Sequence, residues 1–127
     1  MSLSAVLAKD APIPIAAYSQ AIKAGGFIYL SGLCGLTVDG KLVGKGDMKV
    51  QTQKILDNIK AVLDAGGSNM DKIVKVNIFV TDMSLYKQVN EVYSQVFVQH
   101  KPARSCVEVK SLPVPDALIE IEAIALE

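Results

Sequence analysis

Apolar residues recur along this chain with two rhythms, one of three to four positions and one of two, and segments of each kind follow one another. From Met48 to Ala65, Ile55, Leu56, Ile59, Val62 and Leu63 recur at three and four while Lys54, Asp57, Lys60 and Asp64 take the outer positions, which predicts an amphipathic helix. Asp47 is placed to cap its first turn, and Gly66-Gly67 to end it with a left-handed residue. Ile73 to Val80 changes rhythm: Val74, Val76, Ile78 and Val80 alternate with Lys75, Asn77 and Phe79, the pattern of a strand. A second helix is predicted from about Ser84 to Gln99, with Leu85, Val89, Val92, Tyr93 and Val96 toward the core. Lys101-Pro102 stops it, because proline disfavours helical geometry in the residue before it.

Upstream, two prolines make residues 12–17 an extended lead-in, Tyr18 to Ala24 reads as a strand, Gly25-Gly26 as a turn and Phe27 to Ser31 as a second strand. Gly32 to Gly46 holds five glycines and reads as a loop or short hairpin bordering a site. It lacks the tight glycine spacing and lysine-hydroxyl pair of a phosphate-cradling loop. The last quarter reads as two strands joined by a proline-rich loop. In the first, Arg104, Cys106 and Glu108 share one face and Ser105, Val107 and Val109 the other. In the second, Ile119, Ile121, Ala123 and Ala125 form an apolar face, and Leu118, Glu120, Glu122 and Ile124 a mixed one. If the two apolar faces share one core, Arg104 and Glu120 lie together on the other side of the sheet, among Lys75, Asn77, Phe79, Leu118 and Ile124.

The order hairpin, helix, strand, helix, strand, strand predicts an α+β two-layer sandwich: a mixed sheet with both helices on one face. The opposite face is too apolar for water and too polar for a monomer's core, so self-association is expected.

At 127 residues the chain reads as one domain over residues 1–127, and with half its residues apolar it has the material for a core. Thirteen basic residues balance thirteen acidic ones, which leaves no long-range field to draw in nucleic acid or an anionic membrane. No run approaches the roughly 20 apolar residues of a membrane span. Cys34 and Cys106 offer at most one bridge, and the reading favours reduced thiols. The first ten residues have neither the basic-then-apolar order of a secretory signal nor an arginine, so the compartment is read as cytoplasm or mitochondrial matrix.

Arg104 is the sharpest candidate for chemistry, since a guanidinium fork matches a carboxylate with two parallel hydrogen bonds. The competing reading is an ion pair with Glu120 or Glu122. Glu120 can hold a water or move a proton if partial burial raises its pKa; the alternative is an ordinary solvated carboxylate. Cys106 has no base beside it, and the one histidine, His100, reads as an exposed residue complementing a helix end. Two cysteines and one histidine without clustered spacing argue against a metal site.

Pro102-Ala-Arg-Ser-Cys-Val107 and Ile119-Glu-Ile-Glu-Ala-Ile-Ala125 resemble the signature end of the YjgF/YER/RidA family of enamine/imine deaminases. Tyr18-Ser-Gln-Ala21, Ser31-Gly32, Val74 to Asp82 and Asn90-Glu-Val-Tyr93 resemble its other motifs in order, so the likeness spans essentially the whole chain. Ala16-Ala17 and Leu33 stand where the family usually has a glycine before Tyr-Ser-Gln and a glutamine after Ser-Gly. The resemblance implies a chorismate-mutase-like homotrimer with sites between subunits and no cofactor. It also implies hydrolysis of 2-aminoacrylate, 2-aminocrotonate and their imines to 2-keto acids and ammonia. On the matching positions, Arg104 and Glu120 would be catalytic, and Tyr18, Ser31, Gly32, Asn90, Arg104 and the main chain of Cys106 would bind the substrate. The rival classes are an endoribonuclease or translation inhibitor, and a non-catalytic trimer that binds small keto acids.

Overall fold

The three-to-four spacing becomes a helix, α1, over Met48–Ala65, with Asp47 accepting the Val50 N–H at 3.1 Å and Gly67 taking φ +78° just beyond its end. In the computed structural model, which describes residues 2–127, α1 lies against one mixed sheet. The sheet comprises β1 (Leu3–Val6), β2 (Ala21–Ala24), β3 (Phe27–Leu30), β4 (Ile73–Val80), β5 (Ala103–Glu108) and β6 (Ile119–Leu126), in the order β1-β2-β3-β6-β4-β5. A second helix, α2, spans Tyr86–Val96.

Chain geometry explains the layering. β6 is antiparallel to both β3 and β4, so β3 and β4 are parallel, and β4 is parallel to β5. The β3-α1-β4 and β4-α2-β5 crossovers step across the sheet in the same direction. Crossovers of one hand then put both helices on the same face, where they pack side by side. Between them and the sheet, Ile55, Ile59 and Leu63 of α1 and Val89 of α2 meet Ile28, Val76, Ile78, Ile119 and Ile121, all essentially inaccessible to water. This is the α+β arrangement that the sequence pattern predicts. Among the described residues, no helix is long and apolar enough to cross a membrane.

Three amide side chains tie loops to this frame. Gln20 accepts the Ala8 N–H at 2.6 Å and donates to the carbonyls of Ala8 and Pro12 at 3.1 and 2.9 Å, fastening the N-terminal lead-in. From α1, Asn58 donates to the Leu36 carbonyl at 3.0 Å, and Gln51 accepts the Leu118 N–H at 2.8 Å while donating to the Gly44 carbonyl.

The structure corrects several expectations. Leu3–Val6 is a strand, pairing with β2, although only Val6 of its four residues is buried, so no alternation marked it. β2 begins at Ala21 rather than Tyr18, because the Gln20 side chain there is turned inward to the lead-in. A short 3-10 turn, Met83–Leu85, precedes α2, which ends at Val96, with Phe97 leaving helical geometry ahead of Pro102. His100 does not complement a helix end; its ring lies 2.6 Å from the Ile73 carbonyl and joins the incoming chain to β4.

The largest correction concerns β5. Its parallel register sets Arg104 opposite Val76 and Cys106 opposite Ile78, and both partners face the helices. Neighbours in register share a face, so Arg104, Cys106 and Glu108 lie on the helical side, and Ser105 and Val107 on the open side with Lys75 and Phe79. Arg104 and Glu120 are therefore on opposite faces. The two valines misled because β5 is an edge strand, where Val107 stays 47% exposed in the isolated chain. Leu118, also assigned to the open face, packs against the core just ahead of β6.

Replacing Gln20 with leucine keeps the volume but leaves the Ala8 N–H and the Pro12 carbonyl unpaired. The expected loss is about 1–3 kcal/mol in urea unfolding. An unchanged midpoint would mean that the lead-in does not depend on this amide.

Candidate functional site

The sequence-predicted residues separate into two groups, one at each face of the sheet. The first surrounds Glu120. A cleft of about 140 Å³ lies between the lead-in, the segment after β3 and the Pro113-Val114 loop, and Tyr18, Gly32, Cys34 and Glu120 line it. Ser31 joins Tyr18, Gly32, Pro113 and Glu120 around its shallower opening. Alternation along β6 aims Glu120 away from the core formed by Ile119 and Ile121. Gly32 makes room for it: a Cβ there would sit 2.6 Å from the Glu120 Oε2. The close approach that this glycine permits is thus to the carboxylate. Ala16 and Leu33 are both in the lining, so the family departures noted above sit at the wall of this cleft.

Burial is the main cause that raises the Glu120 pKa above the ordinary glutamate range; the Cys34 hydrogen bond opposes it, and the charge of Glu122 adds to it. The Cys34 thiol donates to Glu120 Oε1 at 3.8 Å. Its own pKa is pushed up to about 12, first by burial and then by the charge and hydrogen bond of Glu120. Such a thiol stays protonated at neutral pH and is a donor, not a nucleophile. The Ser31 hydroxyl donates to the Ser19 carbonyl at 2.6 Å and so braces the segment that carries Tyr18. Tyr18 itself is nearly half exposed.

The second group is built by β5 and α2. Tyr86, Asn90 and Tyr93 recur at four and three on one stripe of the helix. Arg104 donates from Nη2 to the Tyr86 Oη at 2.7 Å. Its guanidinium carbon lies 5.6 Å from the Tyr86 ring centroid and 4.7 Å from that of Tyr93. Among the described residues Arg104 forms no ion pair, which removes the structural reading that paired it with Glu120 or Glu122. Glu122 instead accepts from Asn77, and Glu108 from the Met83 N–H. Cys106, on the Arg104 side of β5, is half-buried against the core, and burial raises its thiol's pKa despite the nearby guanidinium. Both cysteines are free.

Sequence reading passed over two participants. Tyr86 reads as an ordinary core or interface residue until the helical stripe is drawn with Asn90 and Tyr93 on it. Cys34 reads only as a possible partner for Cys106. Its relation to Glu120 spans 86 positions of chain, and no local spacing reveals it. Among the described residues no three His, Cys, Asp or Glu side chains gather as a metal's donor set.

A sequence profile of the family described as Endoribonuclease L-PSP matches residues 8–127. The mitochondrial protein MMF1 of Saccharomyces cerevisiae is 44% identical over 126 residues, covering 99% of this chain and 86% of its own. The crystal structure of YyfA from Yersinia pestis, described as a protein of unknown function of the conserved Rid family, is similar at a TM-score of 0.94 and 44% identity. That match covers 99% of this chain and all of the other. Escherichia coli TdcF, solved with bound serine, is similar at a TM-score of 0.90 and 34% identity over 98% of each chain.

With its pKa pushed up to about 12 and the residue only 5% exposed, Cys34 is expected to resist iodoacetamide in the native protein at pH 8. Unfolding restores an ordinary thiol, so mass spectrometry should find it modified only in denaturant. Rapid native alkylation of Cys34 would contradict both its burial and its role as donor to Glu120.

Proposed function

The chain belongs to the YjgF/RidA family, and on that premise we propose that it is a cofactor-independent hydrolase. It deaminates 2-aminoacrylate, 2-aminocrotonate and their imine tautomers to 2-keto acids and ammonia. The observation that carries this reading is Arg104, a guanidinium clamped by two tyrosines and paired with no carboxylate of the described residues. A cation so placed is a seat for a ligand carboxylate, to which it presents a planar fork. The serine bound by the TdcF neighbour has that carboxylate on a small amino-acid frame.

The chemistry asks little more. An enamine acid is protonated at carbon to give the imine, water adds to the imine carbon, and the adduct expels ammonia. No covalent nucleophile is needed, which agrees with two protonated thiols. Glu120 holds the water and relays its proton, and its raised pKa improves the match of base to task near neutral pH. Acid-base help of this kind contributes about 10²- to 10⁴-fold. Tyr18 packs on the small planar substrate from the cleft wall.

Arg104 and Glu120 cannot serve one substrate within one chain. They point from opposite faces, and β4 separates their strands, which alone puts about 10 Å between them. A homotrimer with sites between subunits resolves this, with Glu120 of one protomer facing Arg104, Asn90 and Cys106 of the next. The open sheet face supports the assembly: Tyr29, Val107 and Leu126 are each 45–47% exposed in the isolated chain. The relative in yeast mitochondria supports a matrix or cytoplasmic setting. RNA cleavage, the activity in the family description, has less support, since a net charge of zero gives no attraction for a polyanion.

The direct test adds the protein to a dehydratase that generates the enamine in place and follows ammonia release. Arg104→Lys keeps the charge and loses the fork, so activity on carboxylate-bearing imines should fall about tenfold or more, equivalent to about 1.4 kcal/mol. Full activity in that variant, or none in the wild type, would sink the proposal.

Subunit mixing tests the shared site. Sedimentation equilibrium should give about three times the chain mass. Arg104→Ala and Glu120→Ala should each be inactive, yet an equal mixture refolded together should recover about a quarter of wild-type activity, because random assembly joins an intact Glu120 to an intact Arg104 at that frequency. No recovery from mixed trimers would place both residues in the same subunit's site or outside any site.

A further inference from the structure

Arg104 is held without any carboxylate partner among the described residues, and Tyr86 is the group that holds it. The guanidinium spends one Nη2 N–H on the Tyr86 Oη at 2.7 Å, and Tyr93 supports its plane from the buried side. A phenol oxygen that accepts this hydrogen bond still has its own O–H to give, and Tyr86 is 37% exposed, which leaves it accessible to a ligand at the guanidinium. We propose that Tyr86 is a positioning residue of the anion seat: it fixes the guanidinium through its oxygen and adds its own O–H as a further donor to the ligand carboxylate. The inference rests on the reading of Arg104 as that seat. It predicts selectivity for ligands with a free carboxylate over neutral analogues of the same shape, set by a tyrosine that no signature motif of the sequence includes.

Tyr86→Phe isolates the oxygen, since the ring over Arg104 remains. Calorimetric binding of 2-oxobutanoate should weaken by about tenfold, the range of one lost hydrogen bond to a charged group. Binding of the neutral 2-oxobutanamide should weaken by much less, because its amide oxygen accepts only an uncharged hydrogen bond. In turnover of the matching imine, KM should rise with kcat nearly constant, the mark of lost uniform binding. In an Arg104→Ala background the Tyr86→Phe change should weaken 2-oxobutanoate binding by less than it does in the wild type, because only the direct O–H contact is then left to lose. The unfolding midpoint and assembly mass serve as controls and should match wild type; a merely structural tyrosine would move these and leave the carboxylate selectivity alone. Equal 2-oxobutanoate affinity in Tyr86→Phe and wild type overturns the proposal, as does a wild type that fails to bind 2-oxobutanoate. A wild type that binds it but releases no ammonia from the imine refutes the hydrolase and leaves the role of Tyr86 standing.

Discussion

The structure depends on the last strand entering the middle of the sheet. β3 and β4 are parallel neighbours left one strand apart by the α1 crossover, and β6 fills that space antiparallel to both. Until it does, Ile28, Ile59, Val76 and Ile78 have no central surface to close on, and the backbone edges of β3 and β4 lack partners. Ile119 and Ile121 supply bulk at one end of β6, while Ala123 and Ala125 are small where the strand continues beneath the helices. Because these pairings are distant in sequence, the core is completed by contacts whose loop-closure cost falls late in the chain.

The same strand places the candidate carboxyl. Strict alternation makes the residue between Ile119 and Ile121 face away from the core, so the packing that secures β6 also fixes where Glu120 points. Its environment is then completed by distant segments, with Gly32 leaving space, Cys34 donating a thiol proton and the Pro113 loop closing the cleft. Asn58 and Gln51 hold two of those segments to α1, so the helix buried against β6 also positions the walls of the cleft. A half-buried carboxyl with a raised pKa costs stability in the charged state, a strain that rigid surroundings are needed to sustain.

What the residues revealed in advance follows from how local each determinant is. The bounds of α1 and β4 were legible to the residue, because periodicity and caps are properties of a short window. Val74, expected with Val76 and Ile78 on the core face, is instead 37% exposed, because an irregularity in the pairing between Ile73 and Lys75 turns Ile73 inward in its place. β1 was not, since an edge strand with three exposed residues carries no alternation. The face of Arg104 was misread for a related reason: the pattern Arg-Ser-Cys-Val-Glu has period two on either assignment, and the choice between faces depends on register with β4. That register places Arg104 beside Val76, and only the tyrosine stripe of α2 makes such a position hospitable to a guanidinium. Glu120 was placed correctly because both its neighbours along β6 are isoleucines and leave no ambiguity.

The reversal of Arg104 changes what assembly means for this protein. Had both residues shared one face, a single chain would hold a complete site, and association would only cover apolar surface. With the cation on the helical side of an edge strand and the carboxyl on the open side of a central one, the proposed site would instead be divided into two halves facing different neighbours. Under that proposal, closed cyclic symmetry would pair every Glu120 half with an Arg104 half and leave none over, which an open chain of subunits cannot do. In the proposed trimer, the hydrophobic pressure to bury the open face and the chemical need to bring a base to an anchored carboxylate would be met by the same contact. On this account the activity should be as cooperative with assembly as the fold is with the insertion of β6.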